Sequence, residues 1–221
     1  SQARALAQDR IENSRYITPE SRQYWRVEIR DEVDSTQSEF PSTLMRSQIG
    51  KVIIAEFQKS GRGRRDRTFE SAKSEGLTFS LLLAPMREID QWSWLPLLIG
   101  SAIVDAINKI LEVPLLALTK WPNDIVNKAG RKFGGVLVEK RGDFIVVGIG
   151  INIHQDESQL PVPHAISLAM VSRLVADDLV AREDILVAIL DEIRVRFERW
   201  QMMGSDEEEI TRYLDIDTPY D

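Results

Sequence analysis

The sequence predicts an α+β fold with a mixed, largely antiparallel sheet and helices packed on one face. Three observations support this: strand-like and helix-like periodicities alternate along the chain, no segment repeats, and 43% of the 221 residues are hydrophobic. A chain of this size can bury a core as one compact domain, or as one domain with a small appendage. The composition is typical of a soluble globular protein.

The first elements follow from local pattern. Residues 3–16 have a helical pattern, and the alternation of apolar and polar residues at 25–29 indicates a half-buried strand. Ser35 and Thr36 then offer an N-cap for a helix over residues 37–46. The sequence therefore predicts a strand-to-helix turn at Ser35.

A long polar loop separates two apolar strands in the middle of the first half. The strands are predicted at residues 51–57 and 77–83, and the loop at 58–76 contains several glycines. Loops of this length are uncommon unless they have a function. The loop is therefore the first place to look for a site.

The second half is predicted to contain one long helix, three neighbouring strands and closing helices. Pro96 begins the long helix, which continues to about residue 111 with one apolar face. Turns are expected at 127–130 and 141–143. The predicted strands are 115–119, 133–140 and 144–149, and the predicted closing helices are 167–176, 182–202 and 206–214.

Charge and composition exclude several classes of protein. The net charge of -7 argues against a chain that coats nucleic acid, although residues 59–67 hold five basic residues and one acidic one. The chain has no cysteine and only two histidines, His154 and His164, too few for a histidine-built metal site. No window approaches the roughly 20 uncharged apolar residues of a membrane span, and we expect neither a transmembrane helix nor a signal peptide. We expect a cytoplasmic protein.

The basic loop at residues 60–67, Ser-Gly-Arg-Gly-Arg-Arg-Asp-Arg, indicates an anion site. Glycine permits close backbone approach, and arginine presents a planar fork that matches carboxylate and phosphate oxygens. A solvated basic loop would have the same composition, but the position between two apolar strands favours binding. The loop is neither a GxxxxGK[ST] phosphate loop nor a dinucleotide fingerprint.

A second group of polar residues follows the predicted strand at 115–119. Residues 120–124 are Lys-Trp-Pro-Asn-Asp, and Lys132 precedes a run of Phe-Gly-Gly-Val-Leu-Val-Glu. The Trp-Pro pair indicates a rigid exit from the strand. An ordinary strand end with an Asn-Asp turn explains these residues equally well, just as a helix cap alone explains Ser35 and Thr36.

Taken together, these segments resemble the catalytic domain of biotin protein ligases, whose fold is also that of class II aminoacyl-tRNA synthetases. Asp-Ser-Thr, Glu-Phe-Gln-x-Ser-Gly-Arg-Gly-Arg-Arg, Lys-Trp-Pro-Asn-Asp, Lys-x-Gly-Gly-Val-Leu-Val-Glu and Gly-Ile-Gly-Ile-Asn occur in that order between residues 33 and 152. Each motif is weak alone, but the order and spacing are specific. The resemblance implies a catalytic domain over residues 1–214, with 215–221 as the start of a linker.

The resemblance implies an activity and its partners. Such ligases condense biotin with MgATP to form biotinyl-5′-AMP and pyrophosphate, then pass biotin to a lysine of a biotin carboxyl carrier protein. ATP with Mg²⁺ would be a co-substrate, no tightly bound cofactor is expected, and neither nucleic acid nor a membrane is an expected partner. The family often pairs its sheets edge to edge as a homodimer, but no residue here specifies that state.

The resemblance also implies roles for individual residues. Lys132 would sit between the biotin carboxylate and the α-phosphate, Arg62 would face the same two groups, and Asp124 would assist transfer to the acceptor lysine. The implied biotin contacts are Ser35, Thr36, Gln58, Gly61, Arg62, Arg64, Lys132 and Gly135. The implied nucleotide contacts are Arg64, Arg67, Phe69, Asn123, Lys132 and Asn152, with Asn123 also a candidate near magnesium.

Two residues and both flanks depart from the family pattern. Asp66 stands where glycine is expected and Phe69 where tryptophan is frequent. We hypothesise that Asp66 pairs with a neighbouring arginine and disfavours loop closure. The residues before Ser35 are too few for a winged-helix DNA-binding domain, so we expect no repressor activity. The sequence ends at Asp221, before the SH3-like C-terminal barrel of many members, which is expected of either a minimal ligase or a truncated chain.

Three other functions remain open at this stage. A lipoate or octanoate ligase or transferase would share the fold and the central lysine. A catalytically weak biotin-binding module would explain Asp66 and the short C-terminal flank. A nucleic-acid contact at the arginine loop is disfavoured by the charge balance and by the lack of interleaved aromatic residues.

Overall fold

The computed structural model describes residues 4–62 and 73–205, in which two short N-terminal helices precede the first strand and a long helix follows the last one. The strands are β1 (Arg26–Val33), β2 (Lys51–Gln58), β3 (Gly76–Leu83), β4 (Leu118–Lys120), β5 (Asp124–Val126), β6 (Lys132–Arg141) and β7 (Phe144–Asn152). The α-helices are α1 (Gln8–Asn13), α2 (Pro19–Tyr24), α3 (Leu95–Ile110), α4 (Arg173–Ala176) and α5 (Arg182–Met203).

Seven strands in the described residues form one sheet in the order β1-β2-β3-β7-β6-β5-β4. Only β1 and β2 pair in parallel, because the chain crosses back over residues 34–50 between them, whereas the other neighbouring pairs are antiparallel. The predicted mixed, largely antiparallel sheet is confirmed.

The main core lies on the face of the sheet that α3 and α5 cover. Ile99, Ile103 and Ile107 of α3 are fully buried there, as are Leu186 and Ile193 of α5. Strand residues that point the same way complete this core. The helices therefore pack on one face, as the sequence predicted.

The opposite face has a smaller apolar cluster beside open space. Phe40 packs there on Ile53, Leu82 and Val146, which come from three adjacent strands. These strands are apolar on both faces because this cluster covers one face and the helices cover the other. The segment that carries Phe40 also forms one wall of the cavity described below.

The predicted helix over residues 37–46 is wrong. Only 3-10 turns form there, at Gln37–Glu39 and Arg46–Gln48. Pro41 disfavours a helical conformation at Phe40, whose backbone is extended with φ -84° and ψ 124°. The Thr36 hydroxyl hydrogen bonds to Ser80 instead of capping a helix.

The N-terminal helix is shorter than the predicted 3–16, because two carboxylates from other elements bind the backbone before it. The Leu6 amide donates to Glu56 Oε1 at 2.6 Å, and the Ala7 amide donates to Glu183 Oε2 at 3.1 Å. Extended backbone is required for these contacts, and α1 begins only at Gln8. A propensity pattern cannot anticipate partners this distant in sequence.

The closing segments match the prediction in part. The helix predicted at 182–202 is confirmed by α5, whereas the helix predicted at 167–176 is wrong and divides into a 3-10 turn at Leu168–Met170 and α4. The Ser167 hydroxyl donates to the Gln155 carbonyl at 2.7 Å and so holds the start of this segment against the preceding loop. The helix predicted at 206–214 lies outside the described residues.

The stretch Ile89–Ile110 corrects the expectation that no window approaches a membrane span. It is long and apolar enough to cross a bilayer by length and composition alone. Most of it is buried inside the fold, where α3 packs between the sheet and α5. A central core helix of a globular domain has the same composition.

Candidate active site

A cavity of about 510 Å³ opens on the face of the sheet opposite α3, between β6, β7 and the segment after β1. Its size suits a small ligand with a few polar groups. It is lined by Ser35, Thr36, Gln37, Gln58, Arg62, Thr78, Pro122, Asn123, Asp124, Lys132, Gly134, Gly135, Val136, Leu137, Gly148, Ile149, Gly150, Asn152, Pro161, Val162, His164 and Ala165.

An ion pair between Lys132 and Asp124 marks one wall of the cavity. Lys132 is the first residue of β6, and Asp124 is the first residue of β5. Between these strands Asp124 pairs with Gly135 and Val126 pairs with Lys132, with a register irregularity between Ile125 and Val126. The Nζ of Lys132 lies 3.0 Å from Oδ1 of Asp124, and each side chain is about one third exposed, at 33% and 30%. The cation is therefore held in place but remains open to a ligand.

Gly135 leaves room beside this ion pair because it has no side chain. A Cβ at Gly135 would lie 3.6 Å from Oδ1 of Asp124, 3.7 Å from Cε of Lys132 and 3.2 Å from the Asn123 carbonyl. The last distance is tighter than most real contacts, so a side chain here would press on the residues that position the ion pair. Gly135, a predicted biotin contact, lines the cavity, and its lack of a side chain leaves this space open.

Asn123 stabilises the strand exit that carries Asp124. Its Nδ2 donates to the Val136 carbonyl at 2.9 Å, and the Val136 amide donates to the Asn123 carbonyl at 2.9 Å. The Trp121–Pro122 peptide bond that precedes it is cis. Asn123 lines the cavity as predicted, with its side-chain nitrogen bound to β6.

Two buried hydroxyl groups and a half-buried amide line the cavity beside β2 and β3. Ser35 and Thr36 are both 2% exposed. The Thr36 hydroxyl lies 2.7 Å from the Ser80 hydroxyl, and Gln58 Oε1 accepts from the Thr36 amide at 2.8 Å. Thr36 and Gln58 are therefore hydrogen bonded to each other, and Ser35 lies next to them on the cavity wall, although the predicted helix after Thr36 does not form.

The arginine loop is described only at its start. Arg62, a predicted ligand contact, is exposed and lines the cavity, whereas the preceding Gly61 is buried and does not line it. Residues 63–72 lie outside the described residues, and with them the predicted roles of Arg64, Arg67 and Phe69 and the hypothesis about Asp66.

Asn152 joins the end of β7 to the segment that closes the cavity beside Lys132. It is 3% exposed, and its Nδ2 donates to the Ile166 carbonyl at 3.3 Å. The Lys132 amide donates to the His164 carbonyl at 2.8 Å, and the Ile166 amide donates to the Lys132 carbonyl at 2.9 Å. Asn152 lines the cavity, and the contacts of its amide nitrogen tie the 164–166 segment to the sheet.

Sequence reasoning missed part of the lining. Gln37, Gly148 and the stretch 161–165 were not among the predicted site residues. The stretch reaches the site through a parallel bridge between Ala165 and Lys132, a tertiary contact with no local signature. Gln37 was detectable, because it directly follows Ser35 and Thr36.

The model of the biotin/lipoate A/B protein ligase family matches residues 32–156, more than half of the chain. The chain belongs to this family. The match spans all the motifs from Ser35 to Asn152 and confirms the resemblance drawn from them.

Similar members of the family are biotin ligases. The biotin-[acetyl-CoA-carboxylase] ligase of Mycobacterium tuberculosis is 31% identical over 69% of this chain and 56% of its own length. The bifunctional ligase/repressor BirA of Bacillus subtilis is 32% identical over 51% of this chain and 35% of its own length. The chain therefore spans between about a third and somewhat over half of these relatives.

Solved structures of family members have the same fold. The biotin protein ligase from Aquifex aeolicus, in complex with biotin and ATP, superposes with a TM-score of 0.69. It is 32% identical, and the match covers 80% of this chain and 72% of that one. This chain therefore has the fold of a solved biotin protein ligase, as expected from the sequence.

Proposed function

We propose that this chain carries out the two reactions of a biotin protein ligase. Biotin and ATP would form biotinyl-5′-AMP and pyrophosphate, and the acyl group would then pass to a lysine of a biotin carboxyl carrier protein. The observation that carries the proposal is the Lys132–Asp124 pair in a cavity that is also lined by buried Ser35 and Thr36 and by half-buried Gln58. The complex of the Aquifex relative with biotin and ATP supports it.

In the first reaction a biotin carboxylate oxygen attacks the α-phosphorus of ATP. A bond forms between that oxygen and phosphorus, and the bond to the bridging oxygen breaks as pyrophosphate leaves. Both reactants are anions, so a compact cation that contacts both reduces their repulsion and stabilises charge in the transition state. Lys132 is one third exposed on the cavity wall and can take this role, with Arg62 as a second cation.

In the second reaction the acceptor lysine attacks the acyl carbon of the adenylate, and AMP leaves. The amine must lose a proton to become nucleophilic, and a carboxylate in reach of it can accept that proton or orient the amine. Asp124 lies beside Lys132 and is 30% exposed, so an entering amine can reach it. The Mg²⁺ that accompanies ATP would enter with the triphosphate.

Replacing Asp124 tests whether Lys132 serves mainly the first reaction and Asp124 mainly the second. We expect Asp124→Asn to slow transfer to the carrier lysine by about 10²-fold or more, the usual share of a positioned acid or base, and to slow pyrophosphate release less, because there Asp124 acts only through its contact with Lys132. Single-turnover assays of each half-reaction measure the two effects. The matched control is Asp143→Asn in the turn between β6 and β7, which should change neither rate. Equal loss in both halves would contradict the assignment.

Lipoate or octanoate is the alternative substrate within the same family. The buried hydroxyl groups of Ser35 and Thr36 and the half-buried amide of Gln58 favour a ligand with a polar, hydrogen-bonding end, which biotin has in its ureido ring and octanoate lacks. The test is pyrophosphate release from ATP with each acid in turn, together with calorimetry. Release with biotin alone supports the proposal, and release only with lipoate or octanoate would reverse the substrate assignment.

A further inference from the structure

The 156–165 segment follows β7 and forms the wall of the cavity beside Lys132. Four of its residues line the cavity: Pro161, Val162, His164 and Ala165. Ala165 forms a parallel bridge with Lys132, the first residue of β6. Thr36, by contrast, hydrogen bonds to Ser80 of β3, which is separated from β6 by β7. The segment and the turn that carries Thr36 therefore lie at opposite ends of the cavity.

The end of the cavity that the segment forms is the nucleotide end under the proposed function. Lys132 then lies between the acid carboxylate and the α-phosphate of ATP, and the polar end of the acid lies beside Thr36. The remainder of the nucleotide must extend from Lys132 in the other direction, along the 156–165 segment. Asn152, a predicted nucleotide contact, lines the cavity there and donates to the Ile166 carbonyl at 3.3 Å.

Arg131 holds the 156–165 segment near both of its ends. Its Nη2 donates to the Ala165 carbonyl at 2.7 Å and to Glu157 Oε1 at 3.0 Å. Neither Arg131 nor Glu157 lines the cavity. The Lys132 amide also binds the end of the segment, through the His164 carbonyl. The particular contribution of Arg131 is therefore to join the start of the segment to its end, from outside the cavity.

The backbone of Arg131 is fixed by the turn between β5 and β6. The Arg131 amide donates to Asn127 Oδ1 at 2.9 Å, and the Asn127 amide donates to the Arg131 carbonyl at 2.8 Å. The Gly130 amide donates to the Asn127 carbonyl at 2.9 Å and closes the turn. The guanidinium consequently extends toward the segment from a rigid base.

Other hydrogen bonds of the segment are internal to it. Asp156 Oδ1 accepts from the amides of Ser158 and Gln159 at 2.9 and 3.1 Å, and the Ala165 amide donates to the Val162 carbonyl at 3.0 Å. These bonds shape the segment but do not attach it to the sheet. Pro161, at the cavity wall, has no N–H with which to form such an attachment.

We infer that Arg131 is a positioning residue for the nucleotide: its guanidinium joins the two ends of the 156–165 segment and so keeps Pro161 and Val162 at the nucleotide end of the cavity before ATP binds. This inference rests on the proposed function and adds a residue to it. A wall that is already in place loses less conformational entropy when its ligand binds, and affinity is higher for that reason. Without the guanidinium, ATP would have to order the segment itself.

The test measures binding of the two substrates separately in Arg131→Met and Arg131→Lys. Pyrophosphate release at saturating biotin gives kcat and the KM for ATP, and calorimetry without ATP gives the Kd for biotin. Hydrogen exchange over residues 156–165 reports whether the segment opens. Arg30→Met is the matched control, because it also breaks an ion pair with a partly exposed glutamate, Glu28 of β1, away from the cavity.

We expect Arg131→Met to raise the KM for ATP about tenfold, the usual size of one lost hydrogen bond, and to speed hydrogen exchange in the segment. The kcat and the Kd for biotin should change little. Arg131→Lys should have an intermediate KM, because an ammonium group keeps the charge but lacks the planar fork. Arg30→Met should behave as the wild type. Thermal unfolding verifies that each variant folds, and Arg131→Lys carries the test if Arg131→Met does not.

Three results would overturn the inference alone. The first is an unchanged KM for ATP, even with a lower kcat, because Arg131 would then act on Lys132 rather than on the nucleotide wall. The second is a raised KM without faster exchange in the 156–165 segment. The third is an equal loss of affinity for biotin and ATP. A wild type that releases no pyrophosphate with biotin would instead refute the proposed function, and this inference with it.

Discussion

At the scale of single residues, Lys132 has a proposed catalytic role and a small role in folding. Its ammonium group is 3.0 Å from the Asp124 carboxylate, but a third of each side chain is exposed. Ion pairs this exposed contribute about 0–1 kcal/mol to stability, because water screens them and their side chains lose entropy. Catalysis and stability can therefore be separated at this residue.

Lys132→Met should lower the rate of pyrophosphate release by about 10²-fold to 10³-fold, the usual cost of removing one preorganised charge-stabilising group. The melting temperature should change little. Lys140→Met is the matched control, because Lys140 is an exposed residue of the same strand outside the cavity. A ligase rate that survives in Lys132→Met would contradict the central role of this cation.

The prediction of the site residues depended on the order of the motifs more than on correct secondary structure. Within the described part, nearly all of them line one cavity, even though the helix expected after Thr36 is absent. Side-chain chemistry and motif order were sufficient to name them. The stretch 161–165 was not predictable, because hydrogen bonds with Lys132 and the Asn152 side chain bring it to the site, and these partners lie far away in sequence.

At the scale of elements, two successive glycines in β6 have different tasks. A Cβ at Gly134 would lie 1.9 Å from the Gly150 carbonyl oxygen of β7, which no real structure accommodates without a backbone shift. A Cβ at Gly135 would meet only contacts of 3.2 Å or longer, next to Asp124 and Lys132. The first glycine is needed for strand pairing and the second for the site.

Gly134→Ala should therefore destabilise the fold by about 1–3 kcal/mol or more, as overpacking does. Gly135→Ala should unfold near the wild-type midpoint but bind its acid substrate more weakly. Urea denaturation and calorimetry measure the two properties separately. If Gly134→Ala retained wild-type stability, the close approach of β6 and β7 would be wrong.

The long strands were predictable because their apolar patterns are local. The turn at 141–143 was predictable because it contains a glycine, which suits the positive φ of 61° found at Gly142. The three-residue strand β5 was not, because its pairing with β4 and β6 outweighs its turn-like sequence. The Pro19 helix start was readable, since Thr18 accepts from the Ser21 amide as an N-cap, but it was not predicted.

At the scale of the whole molecule, a buried ion pair joins segments from both ends of the chain. Arg182 of α5 and Glu56 of β2 lie 3.1 Å apart with side chains only 3% and 4% exposed. Arg182 also donates to the carbonyls of Gly76 and Arg4, and Glu56 accepts from the Leu6 amide. No local pattern predicts this network, because its members are separated by most of the chain.

Arg182→Met should cost about 3–5 kcal/mol of stability, because it leaves Glu56 buried without a counter-charge. The double variant Arg182→Met with Glu56→Gln should recover much of that loss. Arg173→Met is the control, since its pair with Asp177 is exposed at the surface and should contribute almost nothing. Chemical denaturation provides the three free energies, and a double variant no better than the single one would contradict this account.

The pairing of β3 with β7 has a consequence for biosynthesis. Residues 76–83 pair with their second strand partner only at residues 145–152, so the mostly buried β3 leaves the ribosome with one open edge while about seventy further residues are still to be added. Exposed edges of this kind recruit other chains. Slow translation between the two strands would lengthen that exposure, so the yield of native protein should depend on elongation speed and on chaperones that shield nascent strands.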